Sequence, residues 1–280
     1  MQLLYTKEIN LIMRIEKIGD LPFYTEGPAM DSKGNMYCTT LSGRAILKID
    51  AENKITEWAY SDCPNGQIVL PDDDHLVCDV KLAAVRRFDS NGKFIKNEIE
   101  KYCAGIEVYC PNDLITDSNG NIYFTDSIRN KGKVCFLGVN GEQSILADDL
   151  DYPNGLVLSF DQKTLYVAES YKNRVIKIVL ESAGNMKGSI EVFADLPTHS
   201  SGKEINNLPD GLAIDWDGDL WVAHYGMQAI HKLSPEGKLL DSINTNMPLT
   251  SNLFFCDPET IVVTGGYGEP GPGGLFKVFL

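Results

Sequence analysis

The stretch NLPDGLAIDWDGDLWVAH, residues 207–224, decides the fold. It reads as a turn (Pro209-Asp210-Gly211), a short apolar strand, an Asp-Gly turn and a second apolar strand. Three other segments open the same way: Thr25-Glu26-Gly27-Pro28, Cys110-Pro111-Asn112-Asp113 and Tyr152-Pro153-Asn154-Gly155. Weaker copies begin at Pro64-Asn65-Gly66 and Leu249-Thr250-Ser251-Asn252. In every copy a carboxylate, amide or hydroxyl precedes the second strand by a nearly constant interval. Glu26 to Tyr37, Asn112 to Tyr123, Asp210 to Trp221 and Ser251 to Val262 are 11 positions, and Asn65 to Val77 and Asn154 to Tyr166 are 12.

The steps between copies are 39, 47, 42, 56 and 41 residues. A period of about 40–50 residues with several short strands is the signature of propeller blades. The expected fold is all-β: a six-bladed β-propeller with four antiparallel strands per blade. In the third unit the pattern predicts strands at Leu114–Thr116, Asn121–Thr125, Lys133–Val139 and Gln143–Ala147. The segments DSKGN (31–35), DSNGK (89–93), DSNGN (117–121) and DWDGD (215–219) read as hairpin turns, with Gly where φ must be positive. Two polar loops, Glu181–Gly188 and Thr198–Asn206, account for the long step. The last unit lacks one strand, and a strand-like segment, Leu11–Ile18, is left over at the other end. Pairing it with Leu275–Phe279 closes the ring and removes exposed edges. The pattern starts just after Met13, so residues 1–12 read as an N-terminal extension and 13–280 as one propeller domain.

Composition narrows the function. The net charge of −14 and pI near 4.7 argue against nucleic acid or an anionic membrane as partner and leave a small molecule. Seven cysteines without C-x-x-C spacing, several in apolar runs, read as buried thiols in a reducing cytoplasm. No secretory h-region and no apolar run of about 18 residues is present. The sequence carries no signal for an oligomeric state.

In a propeller the first strand of each blade lines the central channel, so residues at its start gather at one mouth. Those positions read Glu26, Asn65, Asn112, Asn154, Asp210 and Ser251 or Asn252. All offer oxygen, and none is Cys or His. Such a set suits one divalent cation, Ca²⁺ or Mg²⁺, with Mn²⁺ or Zn²⁺ tolerated.

The ordered set Glu26-Gly27-Pro28, Pro111-Asn112-Asp113, Pro153-Asn154-Gly155 and Pro209-Asp210-Gly211 resembles the senescence marker protein / gluconolactonase / luciferin-regenerating enzyme family. Leu220-Trp221-Val222-Ala223 and the late GGLF (273–276) are similar to it as well. The resemblance implies a propeller with one cation at the channel mouth, held by Glu26, Asn154 and Asp210. Asn112 matches a position that binds metal in some members and substrate in others. Many members hydrolyse sugar lactones, and related propellers hydrolyse organophosphates or other lactones. The Asp matching Asp210 is the general base in lactonase members. The chemistry is coherent: a cation polarises the carbonyl, and a neighbouring carboxylate takes a proton from water.

Two positions depart from that pattern. Sugar-lactonase members usually carry Arg two residues before the Asn that matches Asn112; here it is Cys110. A substrate-binding acidic position falls near Asn130, which is not acidic. Arg129 and Lys131 are candidates to supply the missing positive charge, and His224 is a candidate substrate contact. Asp126 and Glu169 end equivalent strands and are candidates to hold the asparagines in place. GYGEPG (266–271) matches a dinucleotide fingerprint but precedes a strand, so it reads as a rim loop. The leading expectation is a metal-dependent lactonase. The alternatives are a phosphotriesterase-like hydrolase, with the same carboxylate attacking phosphorus, and a metal-containing propeller that binds a metabolite or protein without turnover.

Overall fold

The computed structural model describes residues 14–280. The extension read at 1–12 and the start of the strand expected at Leu11–Ile18 lie outside the described residues. Antiparallel sheets account for the architecture, and among the described residues there is no α-helix. Two 3₁₀ turns, Ser170–Lys172 and Glu204–Asn206, are the helical exceptions.

The sheets follow the repeat. The first unit pairs Thr25–Met30, Met36–Thr40, Ala45–Ile49 and Ile55–Tyr60 in order. The second pairs Pro64–Val69, His75–Asp79, Ala84–Phe88 and Phe94–Glu100. Pro111–Thr116, Ile122–Asp126, Gly132–Leu137 and Gln143–Leu150 form the third. Pro153–Leu158, Thr164–Glu169, Arg174–Ser182 and Glu191–Asp195 form the fourth. The fifth is Leu208–Ile214, Leu220–Tyr225, Ala229–Leu233 and Leu239–Asn244. In the last, Leu249–Asp257, Thr260–Gly266 and Gly273–Phe279 are completed by Arg14–Leu21 from the other end of the chain. Part of the loop read at Glu181–Gly188 is instead an extension of the third strand of its unit, paired with Asn185–Met186.

The hairpin turns form for a local reason. Asp31 accepts from the backbone N–H of Lys33 and Asn35 and from the Asn35 amide. Asp117 repeats this with Asn119 and Asn121, and Asp215 with Asp217 and Asp219. Gly34, Gly120 and Gly218 follow at φ of 81°, 85° and 85°, a conformation that favours glycine. Asp31 and Asp215 also tie the turn to the next strand, through the Tyr37 hydroxyl at 3.0 Å and the Trp221 indole at 2.8 Å.

Packing between units follows from strands buried on both faces. Tyr37, Ile46, Val77 and Phe88 join the first unit to the second. Leu76, Cys78, Leu114 and Phe124 join the second to the third, and Tyr123, Phe136, Leu165 and Ile176 join the third to the fourth. Val175, Leu212 and Val222 link the next pair, and Trp221, Ile230, Val263 and Phe276 the one after. Leu21, Met36, Cys38 and Val262 connect the last unit to the first. Each such buried aliphatic or aromatic side chain contributes about 1.5–3 kcal/mol. The first strands also touch in sequence, Thr25–Met30 against Pro64–Val69 and onward until Leu249–Asp257 meets Thr25–Met30.

The Pro-Asn-Gly and Pro-Asp-Gly segments are not turns ahead of the strands, as the sequence reading had them. They lie inside the first strands and form β-bulges. Pro111 pairs with Asp126 and Leu114 with Phe124, so three steps on one strand oppose two on the other. The same shift occurs between Glu26 and Ala29, Pro64 and Gln67, Pro153 and Leu156, and Pro209 and Leu212. Thr250 and Asn252 bracket a bulge of their own. A bulge adds one residue and re-aims side chains, and it tolerates a proline that has no N–H for the ladder.

Candidate functional site

The bulges bring Glu26, Asn65, Asn112, Asn154 and Asp210 to one cavity of about 320 Å³. Tyr24, Tyr152, Tyr171, Tyr225 and Glu269 are also in its wall. Five of the six positions expected at the mouth are therefore together. The sixth is not: the Ser251 hydroxyl is taken by the Thr25 carbonyl at 2.9 Å, and the Asn252 amide lies 3.3 Å from Asp113, further down the first strands.

Glu26 and Asp210 are both buried, each about 6% exposed. Glu26 accepts from the Tyr24 hydroxyl at 3.0 Å and from Gly27 N at 3.3 Å. Burial, then the charge of Asp113, push its carboxyl up to about 8. Burial raises Asp210 well above the carboxylate range, and the charges of Glu26, Asp113 and Glu269 add to it. Among the described residues no Lys, Arg or His lines the cavity. Two buried carboxylates facing each other without a cationic partner fit a bound cation, which would restore both to the ionised form. Asn65, in the same wall, has a buried Oδ1 with no hydrogen-bond partner among the described residues. Asn154 donates its Nδ2 to Ser170 at 3.3 Å, which leaves Oδ1 available as an acceptor. No three His, Cys, Asp or Glu side chains gather as a metal cluster among the described residues. The donors here are instead two buried carboxylates and three amides, all offering oxygen, which suits a hard cation.

Hydroxyls of one unit pin the next unit's bulge. Thr39 donates to the Asn65 carbonyl at 2.6 Å, Thr125 to that of Asn154 at 2.8 Å, and Ser170 to that of Pro209 at 2.6 Å. Carboxylates act beside them. Asp126 accepts from Tyr109 N at 3.0 Å, Cys110 N at 2.7 Å and Lys133 Nζ at 3.1 Å, fixing the approach to Asn112. Glu169 accepts from Asp151 N and pairs with Arg174. Asp79, missed in the sequence reading, does the same with Asp62 N at 2.8 Å. It was findable: Asp79, Asp126 and Glu169 fall 15 or 16 residues after Pro64, Pro111 and Pro153.

The expected substrate contacts are not in the cavity wall. Cys110 is outside the wall, its N–H donates to Asp126, and burial lifts its thiol to about 12. Asn130 has φ of 57° and serves a turn, its N–H on Asp151. Arg129 is held by Asp151 at 2.7 Å and lies 3.5 Å over the Tyr171 ring, so Tyr171 rather than Arg129 meets the cavity. His224 is fully buried and bonded to His231 at 2.9 Å. What the sequence reading lacked was the wall above the oxygen donors. Ile205 arrives on the Glu204–Asn206 turn, inside a segment read as a polar loop, and Glu269 on the rim loop.

Comparison with known proteins agrees with this architecture. The model of the SMP-30/Gluconolactonase/LRE-like region matches residues 24–266. "Lactonase drp35" of Staphylococcus saprophyticus is 30% identical over 232 residues, 77% of this chain and 69% of that protein. The same protein of Staphylococcus haemolyticus is 28% identical over 86% of this chain and 80% of its own length. A gluconolactonase from Xanthomonas campestris superposes with a TM-score of 0.82 at 26% identity, over 96% of this chain and 90% of that one. The chain thus belongs to the SMP-30/gluconolactonase/LRE-like family.

Proposed function

We propose that the protein is a divalent-metal-dependent lactonase, built as a single closed six-bladed propeller over residues 13–280. The sequence of contacts from each first strand to the next, ending back at Thr25–Met30, supports the ring. The observation that carries the function is that Glu26, Asn112, Asn154 and Asp210 line one cavity that no basic side chain among the described residues lines. Its relatives' lactonase activity agrees with it.

In this reading Glu26, Asn112, Asn154 and Asp210 hold one divalent cation, Ca²⁺ on the strength of an all-oxygen neutral-and-anionic donor set. When bound, the cation supplies Lewis-acid polarisation of the ester carbonyl. Asp210 takes a proton from the water that adds to the carbonyl carbon. As the ring C–O bond breaks, Asp210 returns that proton to the leaving alkoxide, so lactone and water become a hydroxy acid. Tyr24 steadies Glu26, and Ser170 orients Asn154. Asp126 and Glu169 hold the backbone leading to Asn112 and Asn154. All seven cysteines are free thiols, which is compatible with a cytoplasmic setting.

The test is turnover of a panel of γ- and δ-lactones and organophosphate triesters, with chelator and then with added Ca²⁺, Mg²⁺, Mn²⁺ or Zn²⁺. Cation-restored lactone hydrolysis supports the reading. Turnover of triesters alone would favour the phosphotriesterase alternative, and cation binding without any turnover the binding-protein alternative.

A further inference from the structure

We propose that the site selects esters or lactones bearing a positively charged ammonium group, with Glu269 as the residue that reads that charge. The inference rests on the hydrolase reading above and deepens it.

The charge balance of the cavity comes first. Among the described residues three carboxylates line it, Glu26, Asp210 and Glu269, and no basic side chain does. A divalent cation at Glu26 and Asp210 balances two of them. Glu269 remains, with no salt-bridge partner among the described residues. Its Oε1 accepts from the Tyr225 hydroxyl at 2.7 Å, which orients the carboxylate at the rim. The rim loop carrying it is anchored: Tyr24 N donates to the Pro270 carbonyl and Tyr267 N to that of Pro272, both at 2.9 Å. Gly271 packs so closely on the Pro22 carbonyl that a Cβ there would come within 2.2 Å of it.

Two basic groups near the site are already paired. Arg129 pairs with Asp151 and Glu204 and is screened from the cavity by the Tyr171 ring. Lys133 is bound to Asp126. An anionic substituent therefore finds no basic side chain in the wall among the described residues, and at the rim it meets the exposed carboxylate of Glu269.

The aromatic wall favours the opposite sign. Tyr24 and Tyr225 meet edge to face at 6.1 Å, and Tyr152 and Tyr171 do so at 5.6 Å. Tyrosine faces attract ammonium groups, the more so beside a carboxylate. Asn65 adds a buried, unpartnered amide oxygen in the same wall. Leu41, Ile205 and Leu208 complete it with apolar surface that suits the alkyl part of such a substituent.

The test uses three γ-butyrolactones that differ only in one side group: trimethylammoniomethyl, neopentyl as its neutral isostere, and sulfonatomethyl. With cation-loaded protein, kcat/KM falls in the order cationic, neutral, anionic, with about a tenfold step from the first to the second. Glu269→Gln lowers kcat/KM for the cationic lactone about tenfold more than for the neutral one. Glu269→Lys reverses the order of the charged pair. A second readout needs no turnover: by calorimetry, phenyltrimethylammonium binds Glu269→Gln about tenfold more weakly than the parent protein. Equal kcat/KM for all three lactones, or an equal loss on all three in Glu269→Gln, overturns the proposal. Absence of lactone turnover with Glu269-dependent ammonium binding intact overturns the hydrolase reading and leaves the ammonium site standing.

Discussion

Ser170 links the two halves of the candidate cation site through Asn154. Its hydroxyl receives the Asn154 amide at 3.3 Å and donates to the carbonyl of Pro209, next to Asp210, at 2.6 Å. One small side chain therefore sets both the amide's orientation and the position of the neighbouring bulge. Ser170→Ala is expected to weaken Ca²⁺ binding about 10-fold or more while the protein stays folded. Calorimetric titration checks this, and unchanged affinity removes the linking role.

Asp126 is fully buried and holds two backbone N–H groups and Lys133. Asp126→Ala strands the two backbone donors and leaves Lys133 only the Lys131 carbonyl. The expected loss of stability is about 3 kcal/mol or more. Urea denaturation of the variant measures it, and a loss under about 1 kcal/mol would show that water substitutes for the carboxylate.

Two glycines separate a packing requirement from a conformational one. A Cβ on Gly155 would lie 2.3 Å from the Asp210 carbonyl and 2.5 Å from Gly211 Cα, both backbone atoms. Gly141 sits in an open turn at φ of 84°, with nothing near. Gly155→Ala is expected to cost about 3 kcal/mol through overpacking and to disturb the cation site, whereas Gly141→Ala costs about 1 kcal/mol. Paired thermal melts and Ca²⁺ titrations distinguish the two.

Burial of neutral histidines sets an acid limit. Burial holds His75 down at about 4, where it stacks on Trp58 at 4.2 Å, and holds His231 at about 4 as well. A folded value below the unfolded one means the unfolded chain binds more protons. The histidines' contribution is therefore complete above about pH 6.5 and is lost as the pH drops from there towards 4, whereas the raised carboxyls of Glu26 and Asp210 act in the opposite sense. His75→Phe, which keeps a ring on Trp58, should flatten that fall. An unchanged slope in denaturant midpoints between pH 6.5 and 4 would assign the acid limit elsewhere.

The repeat was legible because the Asp-x-x-Gly turns and the oxygen side chain ahead of each second strand recur at a fixed interval. That was enough for the all-β class, for the strand that Arg14–Leu21 adds to Gly273–Phe279, and for the gathering of Glu26, Asn112, Asn154 and Asp210. Bulges were not legible as such, since Pro-Asn-Gly is equally good chemistry for a turn and for a bulge. The cavity wall was harder still. Tyr171, Ile205 and Glu269 reach it from connections whose lengths vary between units, so no periodicity marks them. Arg129 illustrates the other failure. Its charge suggested a substrate contact, but Asp151, distant in sequence, claims the guanidinium.

The most direct measurement of the central claim is the rate of γ-lactone hydrolysis by Asp210→Asn, at saturating Ca²⁺ and with an unchanged circular dichroism spectrum. Loss of a general base that also holds the cation predicts a fall in kcat of at least about 10²–10⁴-fold. Hydrolysis at the parent rate would contradict the account, since the carboxylate at 210 would then have no part in the reaction.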